Sequence, residues 1–348
     1  MLHFQRRIEI MLSTEKQSCM YEASCVLGDI DNQLKKRQRN PYLQRLGDRP
    51  RFELTLREKT VDDAIDFFHG LKENSSLKYL TVRKKYKNSN TMISANISSA
   101  IADLIRENTA ITSLNLQYLE IGIEGIISIS ESLKVNSSLA QLKLGWNNFQ
   151  DEEAIAIENA LKENTHLTSL DLWGNNIQDE GAGAIANALN VNTALISLDL
   201  SSNKIQVQGA IAIGDALKGN TSLTSLHLYG NNIQDEGARA IANALKVNTN
   251  LKSLDLASNS IQVEGACAIA NALTLNEDLI CLDLSDNNIQ DEGACTIANA
   301  LKVNKGLISL ILYSTNIQVE GAIAIGNALR VNTDLESLHL ESNYIQEK

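Results

Sequence analysis

Proline is almost missing from this chain. There are two, Pro41 and Pro50, and both fall within the first fifty residues. They mark a boundary, after which regular structure can run without a proline break. Aromatic residues are only 4% of the chain, so any gathering of them is informative. The five cysteines, Cys19, Cys25, Cys267, Cys281 and Cys295, show no CxxC or zinc-ligand spacing. That pattern argues against a structural metal module and fits free thiols in a reducing, cytoplasmic compartment. No long apolar run is present, which excludes a membrane-spanning helix. Basic charge is scarce where it would matter for nucleic acid. Residues 91–348 hold 13 basic against 30 acidic residues, whereas residues 1–90 hold 18 basic against 12 acidic. An acidic body of this kind fits a basic protein partner or simple solubility, not a nucleic acid.

What the chain does have is one unit repeated without insertion. The stretch beginning at Leu167 reads LTSLDLWGNNIQDEGAGAIANALNVNTA, and units in the same register begin at Leu139, Leu195, Leu223, Leu251, Leu279, Leu307 and Leu335. A 28-residue period predicts a solenoid in which each unit packs on its neighbours. Counting the first leucine as offset zero, offsets zero, three and five are apolar, as in Leu167, Leu170 and Leu172. This is a short strand with alternate side chains inward. Offset eight is asparagine in Asn147, Asn175, Asn203, Asn231, Asn259, Asn287 and Asn343, which predicts a buried amide ladder serving the turn after each strand.

The second half of each unit has helical spacing. Ala182, Ile185 and Leu189 form one apolar stripe, and the small residues Gly181 and Ala186 allow close helix packing. Asp179 and Glu180 stand where a helix N-terminus favours negative charge. Asn192, just past the helix, suits a left-handed C-terminal residue. After the Ile-Gln pair the units alternate between Asp-Glu and Val-Gln or Val-Glu, as in Asp179, Val207, Asp235, Val263, Asp291 and Val319, a 56-residue super-repeat that duplication of unit pairs explains.

The string L-x-x-L-x-L-x-x-N-x-I, recurring in register, resembles the leucine-rich repeat. The 28-residue length and the G-A-x-A-I-A-N-A-L segment are similar to the ribonuclease-inhibitor-like subfamily. The resemblance covers about residues 51–348 and implies an α/β horseshoe, with parallel strands on the concave face and helices on the convex face. It implies about eleven units, the last incomplete. The subfamily includes ribonuclease inhibitor, Ran GTPase-activating protein and the repeat regions of immune receptors, and similar arrays occur in effectors of intracellular bacteria. No nucleotide-binding P-loop and no long acidic tail accompany the repeats, so the receptor and GTPase-activating readings are weaker than that of a protein-binding scaffold.

The edges of the array depart from the pattern. The spacing of Met20, Ala23, Leu27, Ile30 and Leu34 predicts a helix over residues 16–38, within an N-terminal capping region of residues 1–50. The extra length in the second unit falls in the basic stretch 84–90. At the other end HLESNYIQEK stops in mid-unit. The polar Glu336, His339 and Glu341 favour a last strand that caps itself poorly over one that pairs with a second copy or one cut from a longer chain, and a monomer is expected.

Candidate site residues lie at the outward strand positions. Offset four reads Lys143, Asp171, Asp199, His227, Asp255, Asp283, Ile311 and His339. Parallel neighbours at this offset stand about 5 Å apart, so the carboxylates repel and His227 is biased toward its charged form. The ladder reads as a solvated acidic stripe or as a surface for a basic protein. A metal or catalytic role is disfavoured, since a cation needs several convergent oxygens and no nucleophile–base–orienter set is visible. No cofactor is expected. Aromatics sharpen the recognition reading: Tyr118, Trp146, Trp173, Tyr229 and Tyr313 all map to this face or its rim, and Trp and Tyr are the residues most enriched in binding hot spots.

Overall fold

The computed structural model describes residues 41–46, 48–56, 61–84, 93 and 95–345. The helix expected over residues 16–38 and most of the basic 84–90 stretch lie outside them. Helix α1 (Pro41–Leu46) is followed by β1 (Arg51–Leu56), α2 (Val61–Leu71), β2 (Tyr79–Lys84) and α3 (Ala95–Glu107). From there strands of three residues alternate with helices: β3 (Ser113–Asn115), α4 (Ile123–Val135), β4 (Gln141–Lys143), α5 (Asp151–Glu163), β5 (Ser169–Asp171), α6 (Asp179–Leu189), β6 (Ser197–Asp199) and α7 (Val207–Leu217). The array continues with β7 (Ser225–His227), α8 (Gln234–Leu245), β8 (Ser253–Asp255), α9 (Val263–Leu273), β9 (Cys281–Asp283), α10 (Gln290–Leu301), β10 (Ser309–Ile311), α11 (Val319–Leu329) and β11 (Ser337–His339).

The strands form one parallel sheet in chain order, and equivalent offsets pair, as in Asp171↔Asp199 and Asp199↔His227. Strand neighbours need about 4.8 Å, whereas packed helices need about 8–10 Å between axes. The two layers stay in contact only if the sheet lines the inside of a curve. Between them runs a continuous apolar core, in which Leu167, Leu170 and Leu172 from the strand side meet Ala182, Ile185 and Leu189 from the helix side. At the N-terminal edge Leu43 and Leu46 of α1 join this core. Cys267, Cys281 and Cys295 are free and half-buried.

The expected asparagine ladder is present. The Asn175 amide donates to the Leu172 carbonyl at 2.8 Å, and its oxygen accepts the N–H groups of Asn147 and Phe149 in the preceding unit at 2.9 and 3.1 Å. Thr315 replaces asparagine in one unit and holds the Leu312 carbonyl with its hydroxyl. One rung is loose: Oδ1 of Asn259 is buried without a donor among the described residues. The turn facing it, at Ile233 and Gln234, sends the Gln234 N–H to a backbone carbonyl of residue 259 instead.

One local expectation is corrected and one is extended. Asn192 is not a left-handed residue. The C-cap of α6 is Asn190, in right-handed conformation. Asn192 belongs to a second buried ladder, with Asn108, Asn136, Asn164, Asn220, Asn248, Asn276, Asn304 and Asn332. The Asn220 amide donates to the carbonyls of Leu189 (2.8 Å) and Asn192 (3.2 Å) one unit back, and its oxygen accepts the N–H groups of Ser222 (3.1 Å) and Leu223 (2.8 Å). The demand met here comes from the buried carbonyls at the end of the preceding helix and in the turn after it, which a left-handed residue would satisfy only within its own unit.

Asp179 stands in the first turn of its own helix, as expected, but its carboxylate caps the next one. Its Oδ1 accepts the N–H groups of Gln206 at 2.7 Å and Gly209 at 2.9 Å, at the start of α7. Asp151, Asp235 and Asp291 do the same for α6, α9 and α11. Glycine is required at the receiving position, since a Cβ on Gly209 would stand 2.8 Å from that carboxylate oxygen. The carboxylate of an Asp unit caps the helix of the unit that follows it, a Val unit after Asp179, Asp235 and Asp291 and another Asp unit after Asp151. Helices α8 and α10, which receive no such cap, begin at Gln234 and Gln290, and both of these residues have positive φ.

Replacing Asn220 by alanine strands two buried carbonyls and two N–H groups, and is expected to cost about 2–4 kcal/mol. The exposed neighbour Asn190→Ala should stay within about 0.5 kcal/mol. Urea unfolding of the two variants checks this, and equal losses would show that the second ladder does not hold the units together.

Candidate recognition face

The outward positions of the strands share one face, and their backbone explains which side chains stand on it. The central residue of each strand from β5 to β9 is buried and its two neighbours are half-buried. At offset four the carboxylates have a structural task. Oδ1 of Asp171, Asp199, Asp255 and Asp283 accepts the N–H two residues later, at 3.0, 2.8, 3.0 and 2.8 Å. This Asx turn ends each strand. Asn115 makes the same bond to Gln117. One oxygen of each carboxylate therefore belongs to the scaffold.

Register brings Asp171, Asp199, His227, Asp255 and Asp283 into one row. Burial pushes the Asp171 carboxyl above the usual range and Asp199 adds to this, against the Trp173 N–H, Lys143 and His227. Burial likewise raises Asp283, with Asp255 and Asp286 adding and the Ser285 hydroxyl and N–H opposing. His227 is held above its ordinary value chiefly by Asp255, whose Oδ2 lies 3.8 Å from Nδ1, with Asp199 and Asp171 adding and burial opposing.

The opposite ring nitrogen of His227 stands 2.9 Å from Ser225 Oγ. The structure thus aligns Ser225, His227 and Asp255, a set that was not visible along the sequence. Serine and histidine two residues apart on one strand meet by pleating alone, and Ser337 and His339 repeat the contact at 3.2 Å. The Ser225 N–H is committed to the Ile196 carbonyl at 3.0 Å, and the His227–Asp255 distance is too long for a hydrogen bond. A hydrolase needs donors aimed at a developing oxyanion, and this strand aims none. No group of three or more potential metal ligands occurs among the described residues.

The aromatics divide into a cluster and two separate rings. Tyr118 and Trp146 stack with ring centroids 5.6 Å apart and planes 14° from parallel, and Trp146 meets Trp173 edge-on at 5.6 Å and 85°. Tyr229 and Tyr313 stand apart, each 41% exposed. Offset seven has left-handed backbone throughout. Gly174 and Gly230 take it freely at φ 68°, but Tyr118 and Trp146 are held there at φ 63° and 56°. A bulky residue in this conformation costs on the order of 1–3 kcal/mol.

Three further residues complete the cluster and were missed in the sequence. Gln117 donates from Nε2 to Asp171 Oδ2 at 2.9 Å, reaching across the unit between them. Gly145 leaves the room: a Cβ there would lie 2.8 Å from the Trp173 carbonyl and 3.1 Å from both the Gln117 amide nitrogen and Asp171 Oδ1. Gly174 does the same for Trp146, since a Cβ would sit 2.5 Å from Nε1, 2.7 Å from Cε2 and 2.8 Å from Cδ1, against the face of the indole. The available signal was the break in pattern at offsets six and seven, where glycine alternates with tryptophan.

A family profile described as leucine-rich repeat matches residues 163–186, 191–214, 219–242, 247–270 and 275–298. These units are leucine-rich repeats. Solved structures similar to this repeat array include leiomodin-1 actin-binding site 2, at 28% identity and a TM-score of 0.38, covering 43% of this chain and 87% of that one. An internalin from Listeria monocytogenes aligns at 21% identity and a TM-score of 0.47, covering 80% and 78%. The leucine-rich-repeat protein LegL7 from Legionella pneumophila aligns at 17% identity and 0.49, covering 83% and 89%. No curated protein matches the chain. Leucine-rich-repeat proteins are generally protein-interaction scaffolds. Among the described residues no helix is long and apolar enough to cross a membrane.

The raised groups set a pH dependence. His227 binds its proton more tightly in the folded chain. Its contribution is full below the ordinary imidazole value of about 6.5 and is lost as pH rises through the raised native value. Asp171 and Asp283 act in the same direction, because the cost of ionising them is relieved as pH falls through their raised values toward about 3.9. The melting temperature should therefore rise from about pH 8 to about pH 5.5, with His227→Gln flattening the upper part of that rise. An unchanged slope in thermal melts of His227→Gln would place the titrating group elsewhere.

Proposed function

We propose that the protein is a non-enzymatic scaffold that binds a partner protein with a basic surface through its inner face, from Trp146 to Tyr313. The observation that carries this reading is the placement of Tyr118 and Trp146. Both are held in left-handed backbone that other units give to glycine, serine or aspartate, and Trp146 remains 44% exposed. Strain of this kind persists where the exposed group has a use, and large aromatics are the usual anchors of protein interfaces. The acidic row beside them supplies attraction and orientation for a basic partner. The three free thiols fit action in a reducing compartment such as the cytoplasm.

The test uses substitutions that the array itself tolerates. Serine already occupies offset seven at Ser202 and Ser258 and offset six at Ser201 and Ser285, so Trp146→Ser with Tyr313→Ser should keep the fold. Affinity capture with the wild type and this double variant, identified by mass spectrometry, is expected to show a partner that the variant loses at least tenfold, with an unchanged melting temperature. Undiminished capture of the same partner by the variant would overturn the reading.

A further inference from the structure

Offset six runs large, small, large across three successive units: Trp173, Ser201, Tyr229. The backbone ladder continues through these turns, with the Gly174 N–H on the Ser201 carbonyl at 2.9 Å and the Ser202 N–H on the Tyr229 carbonyl at 2.6 Å. Two strand steps therefore separate the aromatic residues, about 10 Å along the array. Ser201 is buried and forms the floor between them. Trp146 meets Trp173 edge-on from the preceding unit, and among the described residues no ring packs against Trp173 from the Ser201 side. A flat group held between two rings needs two contacts of 3.5–4.0 Å, about 7–8 Å in all, which this spacing accommodates.

The carboxylate of the middle unit is Asp199. Its Oδ1 is used by the Ser201 N–H at 2.8 Å. Its other oxygen has no hydrogen-bond partner among the described residues. The equivalent oxygens of Asp171 and Asp255 face Gln117 and His227. Asp199 thus keeps one acceptor oxygen uncommitted in the unit between Trp173 and Tyr229, with Asp171 on one side and His227 on the other.

We infer that the slot between Trp173 and Tyr229 receives an arginine side chain of the partner protein, its guanidinium stacked on the rings and donating to Asp199. This rests on the reading of the inner face as the binding surface. Guanidinium is chosen over ammonium because it is flat, sheds water more readily, stacks on aromatic faces and donates along an edge to a carboxylate. The chain shows this contact in itself. At the N-terminal end of the same face, the Arg51 guanidinium carbon stands 4.4 Å from the centroid of the Tyr79 ring.

The variants that test this have counterparts in the array. Asp199→Asn keeps the strand-ending bond, which Asn115 already makes, and removes the charge. Tyr229→Ala places at offset six the residue found at Ala257. The probes are hexa-arginine, hexa-lysine and hexa-citrulline peptides at about 150 mM salt, where long-range attraction is largely screened. Binding is read by tryptophan fluorescence and calorimetry on the full chain. Hexa-arginine should bind at least tenfold more tightly than hexa-lysine or hexa-citrulline, and each variant should remove that preference. Equal binding of arginine and lysine peptides, lost equally in Asp199→Asn, would reduce the site to a general acidic field and overturn the inference. So would absence of hexa-arginine binding. A captured partner that is lost with Trp146→Ser and Tyr313→Ser, yet retained with Tyr229→Ala, would leave the scaffold reading standing and sink the arginine slot.

Discussion

The structure depends on side-chain amides that stand in for missing backbone partners. A chain that reverses twice in 28 residues must leave peptide groups unpaired at each reversal, and here those reversals are buried. Two asparagines per unit supply both a donor and an acceptor at the points of need. One serves the turn after the strand, the other the turn after the helix. Each binds the preceding unit as well as its own. The unit is therefore unsatisfied alone and satisfied in a row, which is why the leucines can be so uniform without allowing the units to slip.

The inner face follows from this rigidity. With strands fixed in register, a side chain at a given offset can move little relative to its counterpart one unit away. Rows form whether or not function requires them. The carboxylates illustrate the point, because one oxygen of each is spent on ending its strand. Departures from the rows carry more information. Trp146 in a glycine's conformation, Gly145 beneath the Gln117–Asp171 bond and the alternation of Trp173, Ser201 and Tyr229 are all exceptions to a repeating framework.

Fold and register were legible in the sequence because the period of 28 residues and the two-residue and helical spacings within it are local signals. The first asparagine ladder was legible for the same reason. The second was not, because a lone asparagine after a helix is compatible with a local left-handed cap, and only the neighbouring unit reveals Asn192 as a cross-link. Asp179 was read only in part: its place in the first turn of α6 was legible, and its bond to the start of α7 was not. In the site, the aromatics and the acidic row could be placed by counting offsets. Gln117, which reaches Asp171 over a sequence separation of 54, could not. Contacts that skip a unit leave no trace in the period.

The aspartate that caps the next helix has an evolutionary consequence. Losing a single Asp unit would leave a helix awaiting a carboxylate behind a valine, whereas two Asp units in succession already fit together at Asp151 and Asp179. Unequal recombination that removes an Asp unit alone would be tolerated less readily than loss of a whole pair. The present array, with its Asp and Val units in strict succession from Asp179 to Val319, has the form that lineage of paired duplications would leave.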